Sequence, residues 1–140
     1  RIYGKKGFYQ YQCVIPKKPD GVNYLRKLLQ SISDAKTGSF LAILKLFGPR
    51  DEPYLAFASE GYTLALDFPN RTGTEALFKK LDEIVLQSGG RLYLTKDARM
   101  SRTMFEEGYQ QLGLFKAEKK RIDPENRYTS IQAERLGLVH

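Results

Sequence analysis

Four stretches of this chain alternate apolar and polar side chains. Two others repeat apolar residues every three to four positions. Alternation marks a strand with two distinct faces, and the longer repeat marks an amphipathic helix. Residues 7–16, GFYQYQCVIP, set Tyr9, Tyr11, Cys13 and Ile15 on one face and Phe8, Gln10, Gln12 and Val14 on the other. Pro16 and Pro19 close that strand. Residues 39–47 put Phe40, Ala42, Leu44 and Leu46 opposite Leu41, Ile43, Lys45 and Phe47. Residues 61–69 put Tyr62, Leu64, Leu66 and Phe68 opposite Thr63, Ala65 and Asp67. A fourth strand opens after Gly89 and Gly90, with Leu92 and Leu94 facing one way and Tyr93 and Thr95 the other. It delivers Lys96 and Asp97 where it runs out, with Arg99 just beyond.

The helical repeats fall between the strands. Asp20 is placed to cap a helix over 20–35, whose stripe is Val22, Leu25, Leu28, Leu29 and Ile32. Thr72 and Glu75 have the spacing of a capping box. The helix they would start carries Leu77, Phe78, Leu81, Ile84 and Val85 on one stripe and stops at the double glycine. The order is βαββαβ. Right-handed crossovers then place both helices on one face of a four-stranded antiparallel sheet, the ferredoxin-like α+β sandwich. Beyond residue 96 three short helical segments are expected, over 100–108, 112–122 and 130–136. They hold too few apolar residues to make a core of their own. The expected division is therefore a sandwich over 1–95 and a helical tail over 96–140 that packs on this sheet or on another domain.

The second sheet face carries Gln10, Gln12, Lys45, Phe47, Thr63, Asp67, Tyr93 and Thr95. Amides, a cation and aromatics in one place suit a ligand pocket. Phe47, Leu41 and Ile43 together would be an uncommonly apolar patch if fully solvated. A cation at a strand end beside a tyrosine is a plausible means of setting charge against a ligand. The plain alternative for Lys96 and Asp97 is a pair of solvated turn charges.

Composition narrows the chemistry. The single cysteine, Cys13, precludes an intrachain disulfide, and His140 is the only histidine. A Cys/His zinc site and a Ser-His-Asp triad are thereby set aside, and no loop clusters acids as a carboxylate metal site needs. No metal is expected. No apolar run approaches the roughly 18 residues of a membrane span. No segment reads as a signal peptide, so a cytoplasmic location is expected. The net charge of +7 is uneven: residues 1–50 carry +8, residues 51–90 carry −4 and residues 91–140 carry +3. Basic charge on this topology raises single-stranded RNA as a ligand. The RNA-recognition signature for the third strand, K/R-G-F/Y-G/A-F-V-x-F/Y, meets EGYTLALD at 60–67. Glu60 replaces the cation, Leu64 a stacking aromatic and Asp67 the last aromatic, so the interaction itself is lost and nucleic acid is not expected. A non-enzymatic binding module, for RNA or a small regulatory ligand, stays as the alternative class.

Six motifs occur together and in order: GFYQYQCVIP at 7–16, KLFG at 45–48, GYTLALDFP at 61–69, GGRLY at 89–93, KD at 96–97 and DP at 123–124. In this the chain resembles the C-terminal part of FAD-linked oxidases of the vanillyl-alcohol-oxidase superfamily. The resemblance runs from Gly7 to about Leu136. It implies an enzyme part, the cap that covers the flavin ring and forms the substrate site. FAD would be held mainly by an N-terminal domain of the same parent protein, on which the tail would pack. The substrate implied is an alcohol, a sugar or polyol, oxidised by hydride transfer. By matching positions, Gln10, Gln12, Lys45, Phe47 and Tyr93 would face substrate or flavin, with Lys96 beside the flavin in the catalytic role. Thr63 and Ala65 line the same pocket, at positions where relatives can carry a polar residue and a cysteine. No stretch resembles the phosphate-binding glycine loop of that family, so the chain alone is expected to be inactive.

Overall fold

A computed structural model of the chain describes residues 5–37, 39, 41–50 and 53–139. Among the described residues four strands and five α-helices follow one another as β1 (Phe8–Pro16), α1 (Gly21–Asp34), β2 (Ala42–Phe47), β3 (Gly61–Pro69), α2 (Thr74–Gln87), β4 (Arg91–Leu92), α3 (Arg102–Gly108), α4 (Leu112–Ile122) and α5 (Ile131–Arg135). The strands lie in the order β2-β3-β1-β4, all antiparallel. This is the ferredoxin-like α+β sandwich that the element order predicts.

The two central strands fold as their alternation dictates. Tyr11, Cys13 and Ile15 of β1 and Leu64, Leu66 and Phe68 of β3 are buried on the helix side. Cys13 sits at the middle of the sheet, opposite Leu64 on one side and Leu92 on the other. It is fully buried, and burial pushes its thiol up to about 12. From α2, Leu77, Phe78, Leu81, Ile84 and Val85 all enter this core. Met100, Met104, Phe105, Tyr109, Leu112 and Leu136 join it from beyond residue 96. Tyr109 also donates its hydroxyl to the Leu92 carbonyl at 2.6 Å.

Several local expectations are corrected. Helix α2 starts at Thr74 behind Gly73, which holds φ +92, so Thr72 is not its cap; Thr74 instead donates to the Pro69 carbonyl. Asp20 precedes α1 without a capping hydrogen bond, and Val22 and Leu29 of the expected stripe are exposed. Strand β2 begins at Ala42 rather than residue 39. Ser39 accepts the Asp67 backbone N–H through its hydroxyl, which it donates to the Leu41 carbonyl, so a side chain occupies the place of a ladder bond there. Phe40, assigned to the helix side, lies outside the described residues. Leu44 and Leu46 do stand on the helix side, across from Leu64 and Tyr62, yet they are 53% and 59% exposed. The helices cover β1, β3 and β4 and leave β2 bare.

The largest correction concerns β4. It pairs for two residues only, and Leu94–Lys96 turn into a single 3-10 turn. Tyr93 stays on the sheet through its N–H to the Gln12 carbonyl at 2.9 Å. Alternation therefore ends at Tyr93, and Thr95 does not continue the second face. The reason lies outside the strand: Gln132 donates to the Leu94 carbonyl, and the Asp97 carboxylate accepts the backbone N–H groups of Arg99 and Met100. A Cβ at Gly90 would collide with the Val14 carbonyl, so glycine alone lets β4 meet β1 at this point.

Candidate functional site

The sheet face away from the helices is built from side chains in cross-strand register. Gln10 of β1 stands opposite Asp67 of β3 and donates to it at 3.0 Å. Gln12 lies next along the strand and donates to the Thr63 hydroxyl at 3.4 Å. With its NH2 group so engaged, each amide keeps its carbonyl oxygen as a further acceptor. Asp67 and Thr63 are both buried.

This face is not open along its whole length. The loop over 53–60 folds back across the end near the start of β4. Its chain is tied there by Arg91, whose Nη1 donates to the Ala56 carbonyl at 2.8 Å. Phe57, only 8% exposed, stacks on Tyr93 with ring centroids 4.5 Å apart and meets Phe47 edge-on at 6.3 Å. Val14, on the same face, is fully buried. Phe47, Phe57 and Tyr93 thus form an aromatic row from β2 to β4, in the stacked and edge-to-face geometries that ring quadrupoles favour.

Two concavities flank the row. A hollow of about 420 Å³ is lined by Gln12, Phe47, Arg50, Phe57 and Tyr93. A narrow cleft of about 20 Å³, room for about one water, lies at the sheet edge, where Gln10, Gln12, Tyr93 and Lys96 meet helix-side residues including Tyr9, Tyr11, Phe78 and Leu92, with Asp97 and Arg99. Gln12 and Tyr93 belong to both. Lys96 is exposed at its edge, and among the described residues its ammonium has no hydrogen-bond or ion-pair partner. Arg99, by contrast, is committed: it grips Asp82 of α2 with two bonds of 2.8 Å, while its guanidinium lies 4.6 Å from the Phe78 ring centre. Tyr11 donates to the same carboxylate at 3.0 Å, and burial is the main cause that raises its hydroxyl well above the usual phenol range.

Of the eight residues assigned from sequence, Gln10, Gln12, Tyr93 and Lys96 converge on the cleft, and Phe47 joins Gln12 and Tyr93 in the hollow. Lys45 stands exposed on the edge strand opposite Thr63 and lines neither. Thr63 is buried beneath Gln12, and Ala65 is half-buried between Gln12 and Ile43 in the register. Phe57 and Arg50 were not singled out from sequence. The signal for Phe57 was available: Leu55, Ala56 and Phe57 are apolar residues in a proline-bounded loop, which must bury an aromatic somewhere. Among the described residues no group of His, Cys, Asp and Glu is arranged to hold a metal, and no helix is long and apolar enough to cross a membrane.

No family model matches the chain. At the level of whole sequences it is similar to part of an oxidase, as the six motifs imply. It is 34% identical over 139 residues to decaprenylphosphoryl-beta-D-ribose oxidase of Mycolicibacterium smegmatis, a match that takes in 99% of this chain and 30% of that oxidase. It is also 34% identical over 134 residues to an uncharacterized protein in the mprA 5′ region of Streptomyces coelicolor, covering 95% of this chain and 36% of that protein. The chain thus spans about a third of the length of these curated relatives.

Proposed function

We propose that this chain is the substrate-binding cap of an FAD-dependent oxidoreductase that oxidises an alcohol, a sugar or polyol, by hydride transfer to flavin. The observation that carries the reading is the cleft on which Gln10, Gln12, Tyr93 and Lys96 converge, in a chain similar over nearly its whole length to part of an oxidase. The relative's name specifies a ribose derivative, and a sugar fits two amides with acceptors to spare. Gln10 and Gln12 would bind sugar hydroxyls, and Tyr93 and Phe47 would wall the ring. Lys45, exposed on the edge strand outside both concavities, would hold an outlying hydroxyl or phosphate. Thr63 acts from beneath by orienting Gln12, and Ala65 leaves room beside it.

The residues present fit a flavin. When bound, it would supply the hydride acceptor for the substrate carbinol, and a cation would be needed at the ring edge where negative charge develops. Tyr93 and Lys96 would meet that edge. An ammonium without an internal partner is available to stabilise such charge, and preorganised charge is the usual means of doing so. Gln10 and Gln12 would hold the carbinol toward the acceptor, and the aromatic row would keep water from the ring side of the hollow.

FAD would be held mainly by an N-terminal domain of the same parent protein. The tail offers a surface for it: Leu114, Ile122, Tyr128 and Ile131 are exposed apolar residues on or beside α4 and α5.

The test is Lys96→Ala in the complete flavoprotein. FAD content and fold should be retained, because the side chain makes no helix-facing contact. Anaerobic flavin bleaching in stopped flow should slow by about 10²–10³-fold, the usual scale for loss of one preorganised stabiliser of developing charge. Lys96→Arg should restore only part of the rate, because a planar fork does not reproduce a point charge. Bleaching of Lys96→Ala at the wild-type rate would return Lys96 to a solvated turn charge.

A further inference from the structure

We propose that Asp97 is a positioning residue for Lys96, and that α5 sets it through Arg135 and Gln132; the inference rests on the reading of Lys96 given above. Lys96 ends a three-residue 3-10 turn at the edge of the sheet. Short turns of this kind have poor hydrogen-bond geometry and little stability of their own. Its internal bonds are only two, from the Lys96 N–H to the Tyr93 carbonyl at 3.1 Å and from the Asp97 N–H to the Leu94 carbonyl at 3.2 Å, at the upper end of the ordinary range. A cation that must stand at one place on a ligand needs a firmer base.

That base is the Asp97 carboxylate, whose side chain is 3% exposed. Oδ1 accepts the backbone N–H groups of Arg99 at 2.8 Å and Met100 at 2.5 Å. Oδ2 accepts Arg135 Nη2 at 2.6 Å and Gln132 Nε2 at 3.4 Å. One carboxylate therefore closes the chain just after Lys96 and ties it to a helix about 35 residues on. The helix grips both sides of the turn. Gln132 Nε2 donates to the Leu94 carbonyl at 2.9 Å, before Lys96, and Arg135 Nη1 donates to the Met100 carbonyl, after it. From the opposite side Arg99 is bolted to Asp82 of α2.

Helix α5 is itself anchored. Ser130 caps it by accepting the Ala133 N–H at 3.1 Å, and Leu136 at its end is fully buried in the core. Of these groups only Asp97 and Arg99 line the cleft, and the Lys96 ammonium is hydrogen-bonded to none of them. The clamp therefore acts on the backbone that carries Lys96, not on its charge. Arginine is required at 135 because one planar fork must serve a carboxylate and a carbonyl at once.

Two measurements test this. In the 140-residue chain, hydrogen exchange is followed across residues 94–97. Arg135→Leu should speed exchange there at least about tenfold, Gln132→Leu should do so less, and Lys96→Ala should leave it unchanged. Wild-type exchange in Arg135→Leu overturns the clamp. In the complete flavoprotein, a double-mutant cycle of Arg135→Leu and Lys96→Ala reads the rate of anaerobic flavin bleaching. Arg135→Leu should slow bleaching about tenfold by itself and less than twofold when Lys96 is already alanine, because coupled residues are not additive. Equal slowing in both backgrounds shows a general structural role and overturns the positioning role. Gln132→Leu, which leaves the Arg135 bonds in place, supplies the same cycle should Arg135→Leu fail to fold. A Lys96→Ala enzyme that bleaches normally sinks the reading of Lys96, whereas the exchange result stands or falls alone.

Discussion

The two edges of the sheet are built in opposite ways. Strand β2 pairs over six residues and β4 over two. Yet the long edge is exposed and the short one is locked in place. Leu44 and Leu46 face the helix side yet are more than half exposed. Leu92 is buried beneath a helix layer and receives the Tyr109 hydroxyl on its carbonyl. The difference is a matter of what lies over each edge. Backbone pairing aligns a strand, but burial by packed elements supplies most of its stability. The proposed site spans both edges, with Phe47 and Lys45 on the bare one and Tyr93 and Lys96 on the locked one.

Three measurements would break or sharpen that contrast. Leu92→Ala should destabilise the chain by about 2–5 kcal/mol in urea melts, the range for a truncated core leucine. A cost below about 1 kcal/mol would mean that the short edge is not held by its burial. The acid response of Asp97 comes next. Burial opposes its ionisation, but Arg135 and the backbone N–H groups of Arg99 and Met100 outweigh burial and hold its carboxyl below the usual range. A depressed carboxyl contributes stability that is fully present above its unfolded value, about 3.9, and is lost as pH falls through the folded one. The gap in melting temperature between wild type and Asp97→Asn should therefore be constant near neutrality and narrow below about pH 4. A gap that stays constant into acid would uncouple the carboxylate from the fold. The smallest effect belongs to the bare edge: Leu46→Ser should change stability by no more than about 0.5 kcal/mol, as for a surface site. A loss of core size there would show that β2 is covered in solution.

The same contrast explains what could be read from the chain beforehand. Strands β1 and β3 match their expected residues almost to the end, because both of their neighbours are strands and period-two alternation is the whole signal. The stripe of α2 was legible for the same reason, being local and complete. The fourth strand misled because Leu92 and Leu94 alternate as if the ladder continued, while Gln132 takes the Leu94 carbonyl from 38 residues away and Arg135, equally distant, holds the Asp97 carboxylate. No local window contains that competition. In the candidate site, the polar positions on β1 came directly from alternation. Phe57 did not, because an irregular loop carries no period and its aromatic neighbours, Phe47 and Tyr93, lie on two distant segments. The exposure of Leu44 and Leu46 was equally hidden: a strand's pattern says which way a side chain points, not whether a helix is long enough to reach it.

Cys13 carries a consequence of its own. The only thiol of the chain lies at the centre of the sheet, between Leu64 and Leu92, and burial keeps it protonated at neutral pH. Thiolate, the reactive form, is thereby scarce, and no reagent has a path to it. Alkylation of the native protein must wait for the β1–β3–β4 sheet to separate, so the labelling rate is a clock for opening of the core. The molecule carries an internal chronometer for its own cooperativity, placed by nothing more than a small side chain in the middle of a strand.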